Sequence, residues 1–285
     1  MSYMRRVRAA MKMLMTCPPT GGTNVPKPPT PTPQPPVVPP TPTVIPKDIT
    51  VVFINESTVV TDAQLQAIVA ALQIQVSRDF APVWGIDANV SFVPKGTTPP
   101  AGAWQAVILD TSDQAGALGY HDVTNDGMPL AKIFAKTDIQ FGSSLSVTMS
   151  HELLEMLLDP DVNLSVFVQE TDTSGTIYAY EASDACEDDQ FGYDINGVLV
   201  SDFVYPAWFE SFRQKGPFDK QNKISKPFEL LTGGYISIYP IPNSGGWTQL
   251  NKDRIASSYR HRPTLGSRRE RRKLPRNQWQ KSEVL

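Results

Sequence analysis

The chemistry-bearing residues of this chain concentrate in one run, Ser150-His151-Glu152-Leu153-Leu154-Glu155-Met156-Leu157-Leu158-Asp159-Pro160. His151 and Glu155 lie four positions apart, so on a helix they share a face and aim at one point. An imidazole nitrogen and a carboxylate oxygen are both competent zinc ligands. Glu152 adjoins the pair, where a carboxylate can take a proton from metal-activated water during attack on a carbonyl. Leu145, Val147, Met149, Leu153, Leu154, Met156, Leu157 and Leu158 make the helix apolar on nearly every side, which predicts burial. A histidine and two glutamates on a buried helix need partners or a metal, because unpaired buried charge is costly. A carboxylate is a harder ligand than imidazole, so the set suits zinc and also manganese or calcium.

Further ligands must come from another segment, and Tyr180-Glu181-Ala182-Ser183-Asp184-Ala185-Cys186-Glu187-Asp188-Asp189 is the richest source. Glu181, Asp184 and Glu187 are spaced by three and would line one helical face. Cys186 reads as a packed thiol rather than a ligand. His121, in Gly119-Tyr120-His121-Asp122, is one of only 3 histidines. The simplest reading makes it a loop residue paired with Asp122. It could also contact substrate, donate to an oxyanion or complete a metal shell. Tyr120, Tyr180 and Tyr193 are candidates for oxyanion hydrogen bonding, with aromatic packing as the plainer role. Asp122 to Gly127 reads as a turn, because it lacks the later glutamate of a calcium loop. No nucleophile elbow, Walker loop or dinucleotide fingerprint occurs.

The elements that must position these groups begin at about Lys47. Ile49–Ile54 is β-branched and short and reads as a buried strand. Thr61 or Asp62 caps a helix whose Leu65, Ile68, Val69, Leu72 and Val76 keep helical spacing. Ala88–Val93 and Trp104–Leu109 are further strands, residues 116–127 a loop, and Leu130–Ala135 a fourth strand. Gly142-Ser143-Ser144 opens the helix of the His-Glu run, and Asp159-Pro160 stops it. Beyond it, Asn196-Gly197 marks a hairpin within Phe191–Phe209, and Pro227–Trp247 reads as short strands.

The His-Glu-x-x-Glu run resembles the His-Glu-x-x-His motif of zincin metallopeptidases, with Glu155 where the second histidine belongs. The order strand, helix, strand, strand, strand, helix is similar to the N-terminal subdomain of that family, over about residues 47–160. Similar His-Glu-Leu-Leu-Glu runs with an Asp-Pro stop and an acidic cluster occur in uncharacterised bacterial and tailed-phage proteins. The later Gly-Val-Leu-Val-Ser-Asp-Phe-Val and Pro-Phe-Glu-Leu-Leu-Thr-Gly-Gly-Tyr segments look like that group too. The resemblance implies an α+β zincin-like fold: a twisted mixed sheet, a backing helix, an active-site helix and a mostly β or irregular C-terminal part. It implies Glu181 as third ligand, Asp184 as second ligand or brace of a ligand, and Glu187 as the rival. It also implies that the last strand, Leu130–Ala135, borders the substrate cleft, so Leu130 and Lys132, with His121, become the expected substrate contacts.

The expected function is then a zinc peptidase that holds an extended peptide or protein substrate beside Leu130–Ala135 and uses Glu152 as general base. The alternative is a catalytically inactive zincin-fold structural or adhesive module, such as a phage virion component, in which the metal staples the fold. Composition frames both. A hydrophobic content of 40% and charged content of 19% are ordinary for a globular chain. From Lys252 to Leu285 there are 11 Lys/Arg against 3 Asp/Glu, which leaves the body acidic beneath a net charge of -3. An acidic body argues against specific nucleic-acid binding, while the tail suits an acidic partner or solvent. Residues 18–46 hold 13 of the 26 prolines and read as an extended linker. The organisation expected is a basic segment 1–17, the linker 18–46, a metal-binding domain 47–250 and a basic tail 251–285. No apolar run is long enough to span a membrane. Leu14-Met15-Thr16-Cys17 faintly resembles a lipoprotein signal, a third and weaker option.

Overall fold

The computed structural model describes residues 45–113, 117–242 and 246–252. The basic segment 1–17, nearly all of the proline-rich stretch, Cys17, His261 and the tail beyond Lys252 lie outside them.

The strands β1 (Ile49–Asn55), β2 (Ala88–Val93), β3 (Trp104–Leu109), β4 (Gly119–Val123) and β5 (Pro129–Phe134) form one mixed sheet in the order β2-β1-β3-β5-β4. Pairings β1–β2, β1–β3 and β3–β5 are parallel, and β4 alone runs antiparallel, at the edge beyond β5. Val51 and Phe53 of β1, Ala106 and Ile108 of β3, and Ala131 and Ile133 of β5 alternate onto one face, as strand periodicity requires. Two helices close that face. The first, α1 (Asp62–Ile74), starts in a capping box in which Thr61 and Gln64 satisfy each other's backbone N–H. It continues through a wide turn, Gln75–Phe80, into the short α2 (Ala81–Trp84).

A short helix, α3 (Ala135–Phe141), follows β5 directly and leads to α4 (Leu145–Leu158), the helix of the His-Glu run. Of the 14 residues of α4, every one from Val147 to Leu158 is buried, as the apolar pattern predicts. The residue before its first turn is tied from a distance, since the Ser144 N–H donates to Asp189 Oδ2 at 2.8 Å. It ends at Asp159, whose carboxylate accepts the N–H groups of Asn163 and Leu164 and folds the chain back. Leu153, Leu154 and Leu157 pack into the sheet-side core with Leu65, Val69 and Leu72 of α1.

The remainder is mostly strand and irregular chain. The antiparallel sheet β11-β10-β7-β6 contains β6 (Ser165–Gln169), β7 (Gly175–Ala179), β10 (Tyr235–Ile241) and β11 (Thr248–Asn251). The hairpin β8 (Tyr193–Ile195) and β9 (Val198–Val200) turns on Asn196 and Gly197, both at positive φ, 55° and 83°. Trp208, Phe209, Phe218 and Ile236 anchor a second core there. The architecture is α+β with mixed and antiparallel sheets. Among the described residues no helix is long and apolar enough to cross a membrane.

Two sequence expectations are corrected here. The stretch 116–127, expected as loop, contains the strand β4, and only its end is the turn to β5, with Gly127 at φ 83°. The strand at 129–134, expected to pair with an extended peptide, has no free main-chain edge for it: β5 pairs with β3 on one side and with β4 on the other.

Candidate metal centre

On α4, His151, Glu152 and Glu155 occupy adjoining positions of one face, the consequence of i,i+3 and i,i+4 spacing. They are 5%, 6% and 3% exposed, so the face is turned inward. His151 Nε2 lies 3.2 Å from Glu155 Oε2. The helix is locked in rotation by Ser150, whose hydroxyl donates to Gln75 Oε1 at 2.7 Å and accepts the Ser201 N–H at 3.0 Å. Gln75 in turn donates to the Ser201 carbonyl at 2.9 Å.

The segment after β7 comes over this face. It is not the helix expected from the three-residue spacing of its acids. Residues 180–183 are irregular, and only Asp184–Cys186 makes a single 3-10 turn. A close backbone approach fixes that turn. A Cβ on Gly234 would stand 2.2 Å from the Ala185 carbonyl oxygen, and the Leu231 N–H donates to the same oxygen at 2.9 Å. Its effect is to separate the acids. Asp184 Oδ1 comes to 3.4 Å from His151 Nε2, while Glu181 Oε2 comes to 3.6 Å from His121 Nε2. The N–H groups of Ser183 and Asp184 donate to Glu155 Oε1 at 3.1 and 3.2 Å. That oxygen is thereby committed, and Oε2 is left facing the imidazoles. Glu187 lies within electrostatic range of His151 but outside both ligand groupings.

His121 enters from β4. Strand alternation puts it on the α4 side, while Tyr120 and Asp122 point the other way. It is 1% exposed. Its Nδ1 faces Glu152 Oε2 at 3.6 Å and Glu155 Oε2 at 3.8 Å. The expected pairing with Asp122 is thus replaced by contacts with three glutamates, and Asp122 instead accepts the Val123 N–H. Glu152 reaches β4 because position 119 is glycine: a Cβ there would lie 2.7 Å from Glu152 Cγ and 2.8 Å from Oε1. Leu130 and Lys132, the expected substrate contacts on β5, pair across from Asp122 and Tyr120 and therefore sit on the opposite face of the sheet. Lys132 there binds Asp113 beside the Tyr120 ring.

The described residues thus supply two sets of buried, mutually close ligand atoms, His121-Glu155-Glu181 and His151-Glu155-Asp184, either of which could hold a metal ion. The donors fit such an ion. Ligands about 2.0–2.2 Å from a tetrahedral centre stand roughly 3.4 Å from one another; His151 Nε2 lies 3.2 and 3.4 Å from Glu155 and Asp184, and in the other set Glu181 faces one ring nitrogen of His121 at 3.6 Å and Glu155 the other at 3.8 Å. Electrostatics show how strongly the groups couple. Burial works against the charged form of His151, but Glu155, Asp184 and Glu152 outweigh it and hold the imidazole well above its ordinary range. Burial alone would raise Glu155; His151, then His121 and the Ser183 N–H, bring it down to about 2. Burial and the Glu155 charge push Asp184 up to about 7, and burial pushes Glu187 up to about 7 against the pull of His151.

Tyr235, at the start of β10, is a site residue that sequence reasoning missed. Burial and the charges of Asp184, Glu187, Glu155 and Glu152 push its phenol well above its ordinary range, so it stays a proton donor beside the acids. Its only signal was an aromatic directly after Gly233-Gly234. The tyrosines favoured instead lie elsewhere. Tyr120 binds Asp113, Tyr180 packs edge-on to Trp84 and tilted against Phe209, and Tyr193 donates to Asp79. Cys186 is a buried free thiol whose pKa burial and nearby carboxylates raise, in keeping with a packing role. No family model, curated protein or solved structure matches the chain.

Proposed function

We propose that this protein is a divalent-metal-dependent hydrolase, a zinc peptidase of zincin-like architecture with Glu152 as general base. The observation that carries the reading is the convergence of His151, Glu152 and Glu155 with His121, Glu181 and Asp184, from three separated segments, in one buried cluster. The mixed sheet with an antiparallel strand at the edge beside α4 supports it further. With carboxylates prominent among the ligands, manganese or calcium would also be accepted.

A bound divalent ion supplies Lewis acidity and brings the pKa of water in its shell toward neutrality. Glu152 accepts the proton that water gives up and returns it to the leaving amine. The space left by Gly119 lets that carboxylate lie against β4. The role given to Leu130–Ala135 passes to β4, whose outer edge can pair with an extended peptide through main-chain hydrogen bonds. Tyr235, held protonated, can donate to a developing oxyanion.

Glu152→Gln tests this reading. Metal content should stay at the parent level while cleavage of a peptide library falls by about 10²–10⁴-fold. Equal cleavage by both forms would remove Glu152 from the mechanism. The burial of every ligand favours a second reading, a structural or adhesive module in which the metal staples the fold. Parent protein without cleavage that unfolds on chelation would establish that one instead.

A further inference from the structure

The two ligand sets share a single residue, Glu155, and no other. We propose that the cluster is a two-metal centre: one ion at His121 and Glu181, a second at His151 and Asp184, with Glu155 bridging them. This rests on the metal-dependent reading above and extends it from one ion to two.

Three observations carry it. First, Glu155 is oriented as a bridge. Its Oε1 is held by two backbone N–H groups, and its Oε2 faces both imidazoles, at 3.2 Å from His151 Nε2 and 3.8 Å from His121 Nδ1. One ring nitrogen of His121 also lies within 4.8 Å of ligand oxygens of Glu155 and Glu181, so this carboxylate can reach an ion on each side, and paired catalytic ions are commonly about 3.5–4 Å apart.

Second, the contacts have lengths suitable for coordination. A charge-assisted imidazole–carboxylate hydrogen bond closes to about 2.7–2.9 Å. His121 stands 3.6 to 3.8 Å from Glu152, Glu155 and Glu181, and presents a ring nitrogen to carboxylates on both sides. A neutral imidazole has one donor and one acceptor nitrogen, so an acceptor facing a carboxylate is repelled unless the ring takes up a proton or a cation lies between them. His151 Nε2 faces two carboxylates at once, Glu155 and Asp184, again at the spacing of ligands around an ion.

Third, the charge balances. Glu152, Glu155, Glu181 and Asp184 are all 6% exposed or less. With both imidazoles neutral, as ligands to a metal must be, the four carboxylates sum to four negative charges. One divalent ion offsets half of them, and two offset them all, which matters where burial makes net charge expensive.

The full-length protein is stripped with chelator, dialysed against Zn²⁺ and, separately, Mn²⁺, and analysed by native mass spectrometry with circular dichroism as the folding check. Two ions per folded chain are expected. His121→Asn and the near-isosteric Glu181→Gln should each reduce this to one, as should His151→Asn, because each set retains its partner. With Mn²⁺, the parent should give the electron paramagnetic resonance spectrum of an exchange-coupled pair, and Glu155→Gln the spectrum of uncoupled ions. One ion in the parent, unchanged by either substitution in the His121 set, would overturn the pair and leave the one-metal reading standing. No ion at all would overturn both.

Discussion

The contact between Gly119 and Glu152 gives a prediction that needs no substrate. An alanine methyl at 119 would stand 2.7 Å from Glu152 Cγ, 2.8 Å from Oε1 and 3.0 Å from Thr148 Cγ2. Ordinary carbon–carbon contact begins near ~3.5 Å, so the Glu152 side chain must retreat by close to 1 Å from a position that is 6% exposed. Overfilling a packed interior in this way costs roughly 1–3 kcal/mol. Backbone conformation does not confound the substitution, since Gly119 is absent from the positive-φ positions. In Glu152→Ala the two closest obstacles are gone and only the Thr148 methyl remains. Gly119→Ala in that background should therefore cost a few tenths of a kcal/mol at most. Urea unfolding of metal-free parent, both single variants and the double variant closes a double-mutant cycle. The expected coupling is at least about 1 kcal/mol, in the sense that the double variant is more stable than the sum of the singles predicts. Additivity within about 0.5 kcal/mol would refute the claim that Gly119 exists to admit Glu152.

Two further outcomes follow from buried polar groups that hold the site. Ser150→Ala removes the hydroxyl between Gln75 and Ser201, leaving a buried amide oxygen and a buried N–H without it; the loss should be about 2–4 kcal/mol in urea unfolding, and a loss under ~1 kcal/mol would show that the network does not fix α4. Asp202 and Asp219, both fully buried, form a carboxyl pair in which burial, then the hydrogen bond to Asp219 and its charge, push Asp202 up to about 9. The folded chain there keeps a proton that the unfolded chain releases in the ordinary carboxylate range, so this pair's contribution is complete at acid pH and is lost as pH rises toward about 9. Asp202→Asn keeps an oxygen for the Phe203 and Gln221 N–H groups and donates permanently to Asp219. It should gain on the parent by up to about 1.4 kcal/mol per pH unit between roughly pH 5 and 8, whereas a gap independent of pH would show that the two carboxyls do not share a proton.

What could be read from the sequence was what local periodicity and capping encode. The α4 helix announced itself because apolar residues hold most of its positions and Asp159-Pro160 ends it. Thr61 with Gln64, and Asn196-Gly197, marked their elements through backbone chemistry that needs no tertiary partner. The strand β4 was hidden because its glycine answers to Glu152, 33 positions downstream, and in sequence a glycine beside Asp and Asn reads as a loop. His121 was hidden with it: once 119–123 is a strand, alternation alone turns the imidazole toward α4. The three-residue spacing of Glu181, Asp184 and Glu187 suggested one helical face, but Gly234 presses on the Ala185 carbonyl and holds a single tight turn that sends the acids to different histidines. Tyr235 could be found only by knowing that β10 begins beside that turn.

Packing does not require the acids of α4. Leucine would suit positions 152 and 155, since all 12 residues from Val147 to Leu158 are buried, and exchanging buried ion pairs for apolar side chains is often neutral or stabilising. The chain instead spends main-chain donors on Glu155 Oε1, opens β4 with a glycine for Glu152, and sets the His121 imidazole 3.6 and 3.8 Å from Glu152 and Glu155. A salt-bridge network built for stability would shorten those contacts, since its energy depends on them. A coordination shell would keep them at the edge lengths of a polyhedron around an ion. The spacing is therefore the feature that separates the two accounts, and it is why metal content of the His121 and His151 variants is more informative than their stability.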